Sequence, residues 1–196
     1  MVGRLQVGVL AAQACNHVCR IKGLVELDGR LCIVMEQYDG TLDALVSRDY
    51  HQGMPLSRAL PLLVQVAEAL MGLHGNLHRP IFHHDLKPEN ILISDTTGEA
   101  VLADFGLSVL ANSKGFVTTG KGLTVQYAAP EQFDEGPLSA KVDIWALGLV
   151  AIFMLTGEPA FKPKPNLYQA MRNKLCDKKE PPEVCGAPPG FPAREP

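Results

Sequence analysis

His83-His84-Asp85-Leu86-Lys87-Pro88-Glu89-Asn90 is the stretch that decides how this chain is read. Asp85 and Asn90 stand five apart, just after the apolar pair Ile81-Phe82, so a carboxylate and an amide share the turn that ends a short extended segment. Asp104-Phe105-Gly106 follows fourteen residues after Asn90, behind a second apolar run from Ala100 to Ala103, and Ala129-Pro130-Glu131 comes later. Between these motifs, Ile91-Leu92-Ile93 and Val101-Leu102-Ala103 read as strands separated by the turn cluster Asp95-Thr96-Thr97-Gly98. Such a hairpin carries Asn90 and Asp104 at its two ends, and strand pairing brings them together. Two acids and an amide converging from neighbouring loops can handle a hydroxyl nucleophile and divalent cations. Lys87, two residues after Asp85, adds an ammonium to the same turn.

Working outward, residues 4–14 form a short helical pattern. Val18 to Leu27 and Arg30 to Glu36 read as strands joined at Asp28-Gly29, a strong hairpin dipeptide. The pattern breaks at Glu36-Gln37-Tyr38-Asp39-Gly40. A helix is expected from Thr41 to Tyr50, with Thr41 as N-cap and Asp43 in its first turn. A longer helix runs from Ser57 or Pro61 to His74, with Leu60, Leu63, Val64, Ala67, Leu70 and Leu73 on its apolar face. Pro61 fits best near its start, where a missing N–H costs least. Ser139 is the expected N-cap of a helix ending at Thr156, before Gly157 and Pro159. Asn166 to Leu175 reads as one more helix. The tail from Cys176 to Pro196 is proline-rich, lacks apolar periodicity and is expected to be irregular.

The chain's 196 residues suffice for one domain with a sizeable core. Its 46% hydrophobic content and formal charge of −3 give no case for nucleic acid or an anionic membrane. The longest apolar run, Ile144 to Leu155, is short of the roughly 20 residues a membrane helix needs. The five scattered cysteines include one close pair, Cys15 and Cys19, with no second pair at zinc spacing. Reduced thiols in an intracellular setting, cytoplasmic or nuclear, are expected.

Taken together, the ordered motifs resemble the catalytic region of the eukaryotic protein kinases, of the Ser/Thr type, over roughly Gln6 to Leu175. The resemblance implies an α+β fold dominated by a helical C-lobe, with a remnant of the N-lobe sheet. It divides the chain into an N-lobe remnant (1–36), a hinge (37–40), a C-lobe (41–175) and the tail (176–196). It implies transfer of the ATP γ-phosphate to a protein serine or threonine hydroxyl, with ATP and Mg²⁺ as cofactors. Asp85 takes the role of catalytic base, supported by Lys87 and Thr124, the latter in Gly122-Leu123-Thr124-Val125-Gln126-Tyr127-Ala128. Asn90 and Asp104 are the implied magnesium ligands. Met35, Glu36, Tyr38 and Leu92 are the implied nucleotide contacts, Met35 limiting the depth of the adenine pocket. His83 becomes a buried packing residue rather than a base, stacked with Leu10, Ile21 and Phe105. Residues 107–126, with Ser108, Ser113, Thr118 and Thr119, resemble an activation segment.

The departures are equally specific. No Gly-x-Gly-x-x-Gly loop and no Val-Ala-Ile-Lys strand occur before His83. Gln6 stands where the family has a helix glutamate, and His84 replaces the arginine of His-Arg-Asp. Glu131 is expected near the core without the arginine that a later helix of the family supplies. Two readings of function follow: a Ser/Thr protein kinase, or a weak or inactive truncated kinase serving as a binding module. Protein substrate, pathway and oligomeric state are not legible from these residues.

Overall fold

The turn at Asp95–Gly98 builds the hairpin that positions the site. A computed structural model of the chain describes residues 7–12, 16–75, 79–111, 117–118, 124–134, 136–180 and 182. Gly98, with φ +69°, closes the turn through its N–H to the carbonyl of Ser94. On either side, β5 (Ile91–Ser94) and β6 (Glu99–Leu102) pair antiparallel, Ile91 opposite Leu102. The ladder reaches one residue further, Ala103 N donating to Asn90 O at 2.9 Å, so Asp104 leaves the sheet beside Asn90. A two-residue strand, β3 (Gly40–Thr41), adds to β5 with Thr41 opposite Leu92.

Thr41 then caps α2 (Leu42–Asp49), its Oγ1 accepting from Ala44 N at 3.1 Å. The chain continues into α3 (Leu56–Gly75). Its buried residues are Ala59, Leu62, Val66, Ala69, Leu70, Gly72 and Leu73, while Leu60 and Val64 of the expected face are exposed. The helix is apolar nearly all round, so two faces fit the helical period and packing chooses between them. Pro61 lies inside the helix rather than at its start, because the helix begins at Leu56. By length and composition alone α3 would span a membrane; here that stretch forms the core wall of the lobe.

Crossing α3 is α4 (Lys141–Thr156), which buries Val142, Ala146, Leu149, Val150, Phe153 and Met154. Each of these side chains larger than alanine contributes about 1.5–3 kcal/mol on burial. Ala140, not Ser139, is its N-cap residue; the Ser139 hydroxyl reaches only Lys141 N, at 3.4 Å. Gly157 ends the helix with φ +76°. Its Cα lies against the backbone of His51, and Gly53 lies equally close to the carbonyl of Leu155, so a Cβ at either glycine would collide with main chain. Met54 N bonds Met154 O at 2.7 Å across the same junction. The expected last helix divides into α5 (Leu167–Arg172) and a wider turn over 173–177. Of the tail, only 176–180 and 182 lie within the described residues.

At the other end of the molecule, β1 (Ile21–Leu27) and β2 (Arg30–Met35) form a hairpin with Asp28 and Gly29 at positive φ. Val18 makes only an isolated bridge to Leu102, so the strand begins later than its apolar pattern suggests, and Glu36 lies beyond β2. The hairpin exposes both faces: Leu24, Val25, Leu27, Leu31, Ile33 and Val34 are each between 39% and 57% exposed. Residues 7–12 form α1, whose Val7 and Ala11 join the core. Leu10 is 39% exposed and turns away from the stack expected of it. Gly8 faces that way instead, a Cβ there falling 3.0 Å from Ile21 Cδ1 and 3.8 Å from Phe105 Cβ. Gln6 lies outside the described residues.

Candidate active site

The short strand β4 (Ile81–Phe82) pairs with β7 (Val109–Leu110) and delivers His83 and His84 into the core. His83 is wholly buried. Its Nε2 donates to Ala103 O at 2.9 Å, and its Nδ1 accepts from Asp85 N at 3.3 Å. Both ring nitrogens are thereby committed, and the imidazole meets the Phe105 ring edge-on at 5.1 Å. His83 fixes the backbone of Asp85 and has no nitrogen left for proton abstraction.

His84 adopts φ +65°, a strained conformation for a residue with a Cβ. Asp143, at the head of α4, holds it there. Asp143 Oδ1 accepts from His84 N and Oδ2 from His83 N, each at 2.9 Å, while His74 Nε2 donates to Oδ2 at 2.8 Å. Burial alone would raise the Asp143 pKa, but the His74 bond, the neighbouring imidazoles and the His83 N–H outweigh it and hold the carboxyl below its usual range. The His84 ring is 91% buried by residue, stacks on Phe82 at 6.0 Å and leaves Nε2 without a partner among the described residues. Burial pushes its pKa down, against the attraction of Asp143. The imidazole that stands in place of the His-Arg-Asp arginine is therefore in the core.

After this clamp the chain turns through Asp85 to the one-turn 3₁₀ segment Pro88–Asn90. Asp85 is 8% exposed and three side chains converge on it. Thr124 Oγ1 donates to Oδ1 at 2.5 Å, Lys87 Nζ donates to Oδ2 at 2.8 Å, and Asn90 Nδ2 donates to Oδ2 at 3.1 Å and to the Asp85 carbonyl at 2.8 Å. Lys87 Nζ also donates to Thr124 Oγ1 at 3.0 Å. Asp85, Lys87, Asn90 and Thr124 thus form one hydrogen-bonded unit across 39 residues of sequence. Asp104, at φ +57°, is exposed, and its Oδ1 accepts from Gly106 N at 3.0 Å. Pairing of Ala103 with Asn90 sets it beside that unit, though its side chain makes no hydrogen bond to it among the described residues.

The remaining expected contacts gather around Cys19. Tyr38 and Leu92 pack against Cys19, Val101 and Ala103, and Met35 Sδ lies 3.8 Å from Cys19 Sγ. Burial, with nearby anionic groups, pushes the Tyr38 hydroxyl up to about 12 and raises the Cys19 thiol. Met35 is 43% exposed at the end of β2. Glu36 is exposed and, with Tyr38, borders an open polar hollow of about 480 Å³ away from Asp85. Glu131 is likewise exposed in the 3₁₀ turn Pro130–Phe133, not buried near the core as expected, because that turn is anchored by Gln132 Oε1 on Ala129 N. Thr118 is described through its backbone in β8 (Val117–Thr118), paired to β9 (Pro137–Leu138); Thr119 and Ser113 lie outside the described residues.

Sequence reasoning missed Asp143 and His74 as the clamp of the His83-His84 backbone. The available signal was Asp143 itself, the single acidic residue heading a run of apolar ones.

A family model for the protein kinase domain matches residues 6–184. The chain is 37% identical over 158 residues to the serine/threonine-protein kinase PknF of Mycobacterium tuberculosis, covering 74% of this chain and 31% of that protein. It is 34% identical to PknD of the same species, over 74% of this chain and 21% of the relative, and 34% identical to PkaA of Streptomyces coelicolor, over 74% and 26%. The chain spans about a third or less of the length of these relatives. With the match covering nearly all of its length, the chain belongs to the protein kinase domain family.

Proposed function

We propose that this chain transfers the γ-phosphate of ATP to a serine or threonine hydroxyl of a protein, with Asp85 as the base. The observation that carries the proposal is the Asp85 carboxylate held on both oxygens by Thr124, Lys87 and Asn90. Phosphoryl transfer is largely positioning plus charge neutralisation. A carboxylate aimed by three donors accepts the proton of an incoming hydroxyl without first searching for its orientation. Lys87, already at that carboxylate, places an ammonium where charge accumulates on the transferred group.

The donor set fits a magnesium nucleotide. Asn90 spends its Nδ2 on Asp85, which leaves Oδ1 as the atom that would meet a cation, and Asp104 presents an exposed carboxylate beside it. Magnesium takes few protein oxygens and completes its shell with phosphate and water. Asn90 and Asp104 would hold it, and Met35, Tyr38 and Leu92 would flank the base. When bound, the cation neutralises phosphate charge as the transfer proceeds. The free thiols of Cys19, Cys32 and Cys176 suit an intracellular setting.

The second reading, a weak or inactive kinase acting as a binding module, has one observation in its favour: the exposure of Met35 and Glu36 leaves the nucleotide side open. Radiolabelled phosphate transfer from Mg-ATP to a generic protein substrate separates the two. Slow transfer lost in Asp85→Asn supports the kinase; equal background in both proteins supports the module.

A further inference from the structure

The outer edge of β2 is unpaired among the described residues, since β1 and β2 form a sheet of their own. Counting from the two-residue turn Asp28-Gly29, Leu27 and Arg30 exchange hydrogen bonds, as do Val25 and Cys32. The N–H and C=O groups of Leu31 and Ile33 therefore point away from β1. Glu36 N bonds Arg20 O at 3.4 Å, which keeps the alternation and turns the main chain of Met35 outward as well. The side chains of Leu31, Ile33 and Met35 share one face of the strand, and all are exposed. An edge that is regular, apolar and open is a template for another strand. The β1 edge differs, because its register shifts between Ile21 and Gly23, and such an irregularity spoils an edge for pairing.

β2 is complementary to itself. When it is laid antiparallel on a second β2 about a two-fold axis at Ile33, Ile33 meets Ile33, Leu31 meets Met35 and Cys32 meets Val34. The outward backbone groups of Leu31, Ile33 and Met35 are then the ones that face each other. The same register sets Arg30 opposite Glu36 on the other face. Arg30 makes no ion pair among the described residues, and Glu36 has only Lys22, at 3.7 Å with both side chains about half exposed. An exposed pair of that length is worth little, so Glu36 remains open to an arginine. Moving the axis to Cys32 would instead oppose Glu36 to Asp28, two carboxylates, and Arg30 to Val34. The hairpin joins the lobe at the end that carries Cys19 and Glu36, so antiparallel pairing sends the two lobes to opposite ends of the shared sheet.

We infer that the outer edge of β2 joins two copies of this chain, β2 against β2 about Ile33, with Arg30 of each copy opposite Glu36 of the other. The irregular β1 edge closes the assembly at two copies. Self-association of this kind is independent of phosphoryl transfer. Sedimentation equilibrium of the 196-residue chain shows a monomer–dimer equilibrium. Arg30→Glu, and separately Glu36→Arg, weakens it by about tenfold, and the combined swap Arg30→Glu/Glu36→Arg restores it. Copper-phenanthroline oxidation of Val34→Cys links the new thiol to Cys32 of the second copy, the two positions being a close non-hydrogen-bonded pair, while Cys32→Ser/Val34→Cys gives no linked dimer. A chain that stays monomeric at every concentration would overturn the inference. So would association that Arg30→Glu leaves untouched or the swap fails to restore, an open-ended assembly, or a crosslink that survives Cys32→Ser.

Discussion

Replacing Asp143 by alanine removes the acceptor of two buried backbone N–H groups, those of His83 and His84, together with that of His74. A buried donor left unpaired costs about 1–3 kcal/mol. The His74 side chain, 14% exposed, can turn to water and adds little. The two amides together therefore cost about 4 kcal/mol, a large share of the roughly 5–15 kcal/mol that holds a domain together. For a chain of this size each kcal/mol moves Tm by about 2–4 °C, so a fall of about 8–16 °C is expected by circular dichroism. Asp143→Asn keeps one acceptor oxygen but turns an NH₂ toward donors, and falls about half as far. The acid limb supplies a second readout. The Asp143 carboxyl is held below its unfolded value, so its stabilisation is complete above about pH 3.8 and lost as pH falls through the lower folded value; the asparagine variant lacks that component. Activity follows as well, since the φ +65° turn at His84 relaxes without its clamp and Asp85 moves with it. An Asp143→Ala protein that melts within about 2 °C of the parent, measured against the per-kcal scale above, would refute this account.

Thr124→Val is expected to lower kcat tenfold or more with Tm little changed, whereas Thr124→Ser, which keeps the Oγ–H to Asp85, retains most activity; equal loss in both would show that the hydroxyl is not what matters. His84 has its pKa lowered by burial, so the unfolded chain binds the proton more tightly and stability falls as pH drops below about 6.5 toward the folded value. His84→Gln flattens that slope in urea titrations between pH 7 and 5, and an unchanged slope would contradict the buried neutral ring. Gly157→Ala, at φ +76° and against the His51 carbonyl, is expected to cost about 2–4 kcal/mol by denaturant unfolding, far more than alanine at the unobstructed Gly148.

Much of the site was legible because it is local. Asp85, Lys87 and Asn90 lie within six residues, and one hairpin turn with a strong signal sets Asp104 beside them. Thr124 could be nominated only through resemblance, since nothing in its neighbours points to a hydroxyl bonding Asp85 from 39 residues away. The α3 face was misread because leucines occupy both sides of that helix, and only contact with α4 and β6 selects Leu62 and Val66 over Leu60 and Val64. Leu10 was assigned to the stack around His83 by analogy. Side-chain type says nothing about whether a further layer covers it, and here it is 39% exposed. For His84 the sequence reading reached only the exchange for an arginine; its burial goes with the clamp of its backbone N–H by Asp143, 59 residues away, which no neighbouring residue signals.

The hairpin β1–β2 divides the molecule into two tiers of cooperativity. Its cross-strand bonds bind it to itself, and among the described residues the backbone bonds that tie this end of the chain to the lobe lie just before it: Cys19 N to Leu102 O, Leu102 N to His17 O, and the bridge at Val18. With apolar side chains open to water on both faces, its opening forfeits little burial. The junction of Gly53 and Gly157, by contrast, ties α2, α3 and α4 into a unit that must come apart together. Amide hydrogens of Val25 and Ile33 therefore exchange through a local, low-energy opening, and those of Leu70 and Val150 only on global unfolding. A partner strand laid along either hairpin edge would convert the first tier into the second, so that order near Cys19 and Met35 responds to what binds there rather than to the stability of the helical lobe.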